Sequence, residues 1–237
     1  MTVANMEEKG IRINRYLSDK GVCSRRAADG WIEEGRVTID GQRASLGDVV
    51  WPGSQVRVDG RLISRGEEKV YLALNKPRGV VCTADPREPM NVVSYLGLPQ
   101  RIYPVGRLDK DSEGLLLLTN DGDIVNRVLR ASEGHEKEYR VWVDKPVTES
   151  FLRRMEAGVP ILGTVTAPCR ARRMGDRAFS IVLTQGLNRQ IRRMCEYFGY
   201  RVTRLVRVRI MHIRLGNMET GHYRALTREE VTLLKGE

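Results

Sequence analysis

At 237 residues with 41% hydrophobic content, the chain is long enough for one or two packed domains and too apolar for general disorder. Its longest apolar run, Val70 to Leu74, is far short of the ~18 residues a membrane span needs, and acids and glycine precede any apolar stretch at the N-terminus, so neither a spanning helix nor a signal peptide is expected. A net charge of +10 calls for an anionic partner without naming it.

Residues 1 to 10 read as a loose tail. A short helix follows through Ile13, Tyr16 and Leu17, stopping at Gly21. Ser24 is a good N-cap for a second helix, Arg25 to Glu34, with Gly35 just beyond it. Val37-Thr38-Ile39 and Val56-Arg57-Val58 then alternate as strands around two Asp-Gly turns, Asp40-Gly41 and Asp59-Gly60. Two small helices and a hairpin unit in so short a stretch make a compact module. Ser64 to Lys69 is polar, contains glycine and is the expected linker. The boundaries expected are therefore 1–63, 64–69 and 70–237.

Beyond the linker, Tyr71 to Leu74 reads as a strand, Leu115 to Leu118 as a buried one, and Asp123 to Leu129 as a helix after the Asp121-Gly122 turn. Tyr139, Val141 and Val143 alternate as in a half-buried strand. Thr148 can cap a helix ending near Gly158, and Phe179, Ile181 and Leu183 make another strand. Ile191, Met194, Cys195 and Phe198 fall on one helical face, with Asn188 the expected N-cap and Gly199 the stop. Val202 to Leu215 reads as one strand, and Thr227 with Glu230 as a capping box. The mixture predicts an α+β fold with a mainly antiparallel mixed sheet. Cys23, Cys82, Cys169 and Cys195 are scattered with no C-x-x-C pair, which speaks against a disulfide scaffold or zinc site and for a cytoplasmic setting.

Charge is unevenly placed. Eight arginines lie between Arg189 and Arg214 against one acid, Glu196, and a smaller cluster runs through Arg12, Arg15, Lys20, Arg25 and Arg26. Arginine's planar fork suits phosphate, and two separated basic faces suit a long polyanion better than a small metabolite. Arg25 and Arg26 oppose the dipole of the helix they open, so helix stability does not explain them. Chemistry concentrates in Pro104 to Gly114, a polar loop ahead of four leucines. A nearby arginine favours the charged form of an aspartate, and such a carboxylate can act as nucleophile or base. Asp109 to Gly114 imitates the start of a calcium loop, but leucines fill the later ligand positions and Asn120 stands where a bidentate glutamate is needed. No P-loop, dinucleotide fingerprint or metal spacing is present, so no cofactor and no metal are expected.

Gly106-Arg107-Leu108-Asp109 resembles the catalytic signature of the RsuA/RluA superfamily of pseudouridine synthases. Asn75-Lys76-Pro77, Glu136-Lys137-Glu138-Tyr139 and Gly186 to Met194 follow in that superfamily's order. Gly158 to Thr166 is similar to the RluF-type enzymes of bacterial ribosomal RNA. Cys23 to Ala28 and Gly35 to Gly41 resemble the alpha-L RNA-binding domain shared with ribosomal small-subunit protein S-four.

The resemblance implies isomerisation of a uridine in structured ribosomal RNA, most simply 23S, with transfer RNA, small-subunit RNA or a non-catalytic assembly factor as alternatives. It implies Asp109 as the essential carboxylate, Arg192 as its paired cation and Tyr139 as the ring that stacks on the target base. Because that base must leave its helix, Arg107 is expected to occupy the vacated space, with Leu108, Lys110, Arg189, Gln190 and Arg193 at the same opening. Arg12, Arg15, Arg25 and Arg26 are expected on RNA in the N-terminal module. The protein is expected to be a cytoplasmic monomer that needs no membrane.

Overall fold

The computed structural model describes residues 10–63, 68–85, 87–129 and 134–236. The chain divides into two compact units, Met1–Lys69 and Val70–Glu237. Most of the expected tail (1–9) and linker (64–67) lies outside the described residues.

In the first unit, helices Ile13–Asp19 and Arg25–Glu33 pack on a four-stranded sheet in the order Gln42–Arg43, Val37–Ile39, Val56–Val58, Arg61–Leu62. Ser24 caps the second helix by accepting the Ala27 N–H at 3.1 Å. Both Asp-Gly pairs take positive φ at each residue (50° and 85° at Asp40-Gly41, 48° and 76° at Asp59-Gly60), which two-residue hairpin turns demand. Ile13, Leu17, Ala28, Val37 and Val56 close the core.

The second unit is built on a mixed sheet. Among the described residues its main path runs Arg170–Gly175, Ala178–Leu183, Lys137–Val143, Val202–Ile210, Glu113–Thr119, Tyr71–Lys76 and Tyr223–Ala225. Neighbours are antiparallel except at one seam, where Val206 and Arg207 run parallel to Glu113 and Gly114. Gly114 makes that seam possible. Its φ is +101°, and a Cβ there would lie 2.3 Å from the Arg207 carbonyl oxygen. The fold is α+β with a mainly antiparallel sheet, as the patterns predict.

Two expectations change. Val202 to Leu215 is not one strand: Met211 takes φ 52°, and Ile213–Arg214 folds back on Arg209 and Ile210. Asn188 does not cap the following helix, which runs Gln190–Tyr197 behind Arg189 in a left-handed conformation. The Asn188 side-chain oxygen instead accepts from Arg193 at 3.3 Å.

The capping box of the last helix, Arg228–Lys235, is complete. Arg224 donates two hydrogen bonds of 2.7 Å to Glu230 and holds its carboxyl below the ordinary glutamate value of 4.5. A carboxyl with a depressed folded pKa contributes stability that is full above its unfolded pKa and fades as pH falls through the folded one. Glu230→Gln is therefore expected to cost about 1 kcal/mol at pH 7, with the Tm gap to wild type closing as pH falls toward 3.

Candidate active site

The cleft forms where strands of distant sequence meet. Tyr103–Val105 and Glu113–Thr119 pair as a hairpin, and the loop between them carries Arg107, Leu108 and Asp109. Leu108 is 7% exposed and packs in the core, while its N–H donates to the Cys82 sulfur at 3.3 Å. The Ser112 N–H donates to the Asp109 carbonyl at 3.0 Å, and the Gly79 N–H to the Lys110 carbonyl at 2.8 Å. Anchored at these points, the loop presents the Asp109 carboxylate to a cleft of about 390 Å³, within the usual range for a small-ligand site.

Two guanidinium groups face that carboxylate. Arg189 approaches it at 3.7 Å and Arg192 at 3.8 Å. Neither contact is a hydrogen bond, and among the described residues no donor bonds the Asp109 side chain, so its lone pairs remain open to a substrate. The sequence pairs the aspartate with Arg192; the structure adds Arg189. Arg192 is 8% exposed, and its other nitrogens donate to the Val202 carbonyl, the Asp111 carbonyl and Ser112 Oγ. Its Nε, the atom facing Asp109, is buried and makes no hydrogen bond. Burial first, and then the neighbouring Arg189 charge, push the Arg192 guanidinium below its ordinary value, while Asp109 and Asp111 pull it back up.

Tyr139 lines the same cleft and packs against the hydrophobic clusters on both of its sides. Arg207, its cross-strand partner, was not singled out from the sequence. Arg207 is 3% exposed; Nε donates to the Leu115 carbonyl at 2.8 Å and Nη1 to the Arg107 carbonyl at 3.5 Å. It thus ties its own strand, the neighbour of the tyrosine strand, to the Asp109 loop, and its Nη2 is buried without a hydrogen-bond partner. Lys137, two residues before Tyr139, also lines the cleft, and burial together with the Arg207 charge pushes its ammonium down. The strand alternation carried a signal for both residues, since 137, 139, 205 and 207 share a face.

Other residues named from the sequence divide. Arg107 and Arg189 line the cleft and are exposed. Gln190 lines it too, but it is 5% exposed and braces the loop by accepting the Leu187 N–H at 2.9 Å. Lys110 and Arg193 do not line the cleft; Lys110 is exposed, and Arg193 is bonded to Asn188. In the first unit Arg12, Arg25 and Arg26 are exposed, and Arg15 pairs with Asp19 at 3.2 Å.

Five cations against one carboxylate, a small cleft and a loop aspartate match what an RNA-modifying enzyme requires. The family model described as RNA pseudouridylate synthase matches residues 70–197. The chain belongs to the RNA pseudouridylate synthase family. An S4 domain model matches residues 11–56, which makes the first unit an RNA-binding module of this pseudouridine synthase. The chain is 52% identical over 228 residues to the dual-specificity RNA pseudouridine synthase RluF of Escherichia coli (strain K12), covering 95% of this chain and 79% of the relative. It is 36% identical over 233 residues to the ribosomal large subunit pseudouridine synthase B of Bacillus subtilis (strain 168), covering 94% and 95%. A pseudouridylate synthase of known crystal structure superposes with a TM-score of 0.69 at 28% identity, covering 94% of this chain and 99% of that one. Among the described residues no helix is long and apolar enough to cross a membrane.

Proposed function

We propose that this pseudouridine synthase isomerises a uridine of structured bacterial ribosomal RNA, with 23S as the first candidate, as a monomer in the cytoplasm. The bond between N1 of uracil and the anomeric carbon breaks, a bond from C5 to that carbon forms, and the C5 proton is lost as N1 regains one. Atoms and electrons balance without a redox partner. Asp109 is the catalytic carboxylate, whether it attacks the anomeric carbon, attacks C6 of uracil or takes a ribose proton. Arg192 and Arg189 hold its charge, Tyr139 stacks on the base, and Arg107 fills the gap left in the RNA helix. Unstacking costs a few kcal/mol, which phosphate contacts and base stacking offset.

One observation carries the reading: an accessible carboxylate, 31% exposed, lies within 4 Å of two arginines in a cleft that a tyrosine also lines. Incubation with deproteinised 23S rRNA followed by chemical mapping should give a new pseudouridine; a transcript unchanged by active protein overturns the 23S assignment. The dual specificity in the name of the E. coli relative favours a second RNA for this chain, so bulk transfer RNA is mapped beside it.

A further inference from the structure

The sheet that forms one wall of the cleft has a second face. Side chains alternate along a strand, so Tyr139 and Val141 point toward the cleft and core while Arg140 and Trp142 point away. Cross-strand registers extend that outer face. Arg140 and Arg172 each pair with Ser180 from opposite sides, and Trp142 pairs with Ala178 and Arg204. Arg140, Arg172 and Arg204 are exposed, with the small Ser180 between the first two.

Its charges are not balanced internally. Arg204 binds Glu113 at 3.0 Å and lies over the Trp142 ring at 5.0 Å. Arg209 binds Glu138 at 2.9 Å and Glu136 at 3.0 Å, and Arg170 joins Glu136. The side chains of Arg140 and Arg172 have no hydrogen-bond or ion-pair partner among the described residues. They stand two strands apart, about 10 Å at the backbone, with only Ser180 between them. Two like charges held side by side without a counter-ion gain nothing for the fold; they suit an anionic partner that brings its own charges in a row. An RNA backbone does so.

We propose that this outer face, centred on Arg140 and Arg172 with Trp142 at its edge, is a second RNA-backbone contact of the catalytic unit. The inference rests on RNA as the partner. It lies on the opposite side of the sheet from the cleft, so it engages a part of a large folded RNA other than the segment holding the target uridine. It adds affinity for folded RNA and takes no part in the chemistry.

Filter retention of 23S rRNA by the full chain, measured across a salt series, tests this by binding alone and so fails separately from the product assay above. Arg140→Gln with Arg172→Gln should lower the slope of log affinity against log salt by about 1.5, from two lost phosphate contacts. A control removing equal charge elsewhere, Arg153→Gln with Arg228→Gln, should change it far less. A slope equal to wild type, or an equal fall in the control, overturns the proposal.

Discussion

Asp109→Asn is expected to lower pseudouridine formation about 10⁴-fold or more while RNA affinity holds or rises slightly. The amide keeps the volume of the side chain and removes its charge, and each chemical route at this position needs an ionised carboxylate. The fold should not notice, because that side chain is about a third exposed and accepts no hydrogen bond among the described residues. RNA affinity is the discriminating measurement, since Arg189, Arg192 and Arg207 remain and one repulsive charge has gone. Turnover within tenfold of wild type would sink the assignment.

Gly114→Ala is expected to cost about 3 kcal/mol or more, a fall of about 6–12 °C in the Tm of the catalytic unit. Two penalties add. A φ of +101° is strained for any L side chain, and the new methyl would meet the Arg207 carbonyl oxygen at 2.3 Å and nitrogen at 2.8 Å. Those are backbone atoms of the adjoining strand and cannot swing aside. Gly163→Ala is the control: φ is +74°, yet nothing lies within 4 Å of its added carbon, so only the conformational cost of about 1 kcal/mol applies. Equal Tm losses in the two variants would show that the seam has room to spare.

What the sequence disclosed was local. The Asp-Gly turns at Asp40-Gly41 and Asp59-Gly60, the Ser24, Thr148 and Thr227 caps and the helix through Ile191 and Met194 each depend on residues a few positions apart, and all are present, whereas Gly122 joins the helix Gly122–Leu129 instead of a turn before it. Asp109, Tyr139 and Arg192 came from ordered motif blocks, and the structure brings all three to one cleft. The partnership of Arg189 was hidden because it requires a left-handed residue ahead of the helix, where the pattern suggested a cap at Asn188. Arg207 was hidden because its value lies in carbonyl groups about a hundred positions earlier. The helix Val92–Leu96 escaped notice because it is short, begun by the Asn91 cap and ended by Gly97 at φ 58°.

The parallel seam also bears on when the enzyme becomes competent. Hairpins close quickly, whereas a contact joining residues 100 positions apart must first overcome the entropy of the intervening chain. During synthesis the S4 module, matched at residues 11–56, emerges about 150 residues before Arg207 exists. A nascent chain is thus equipped to hold RNA well before it can modify any, and catalytic power arrives only once Arg192 and Arg207 have been made.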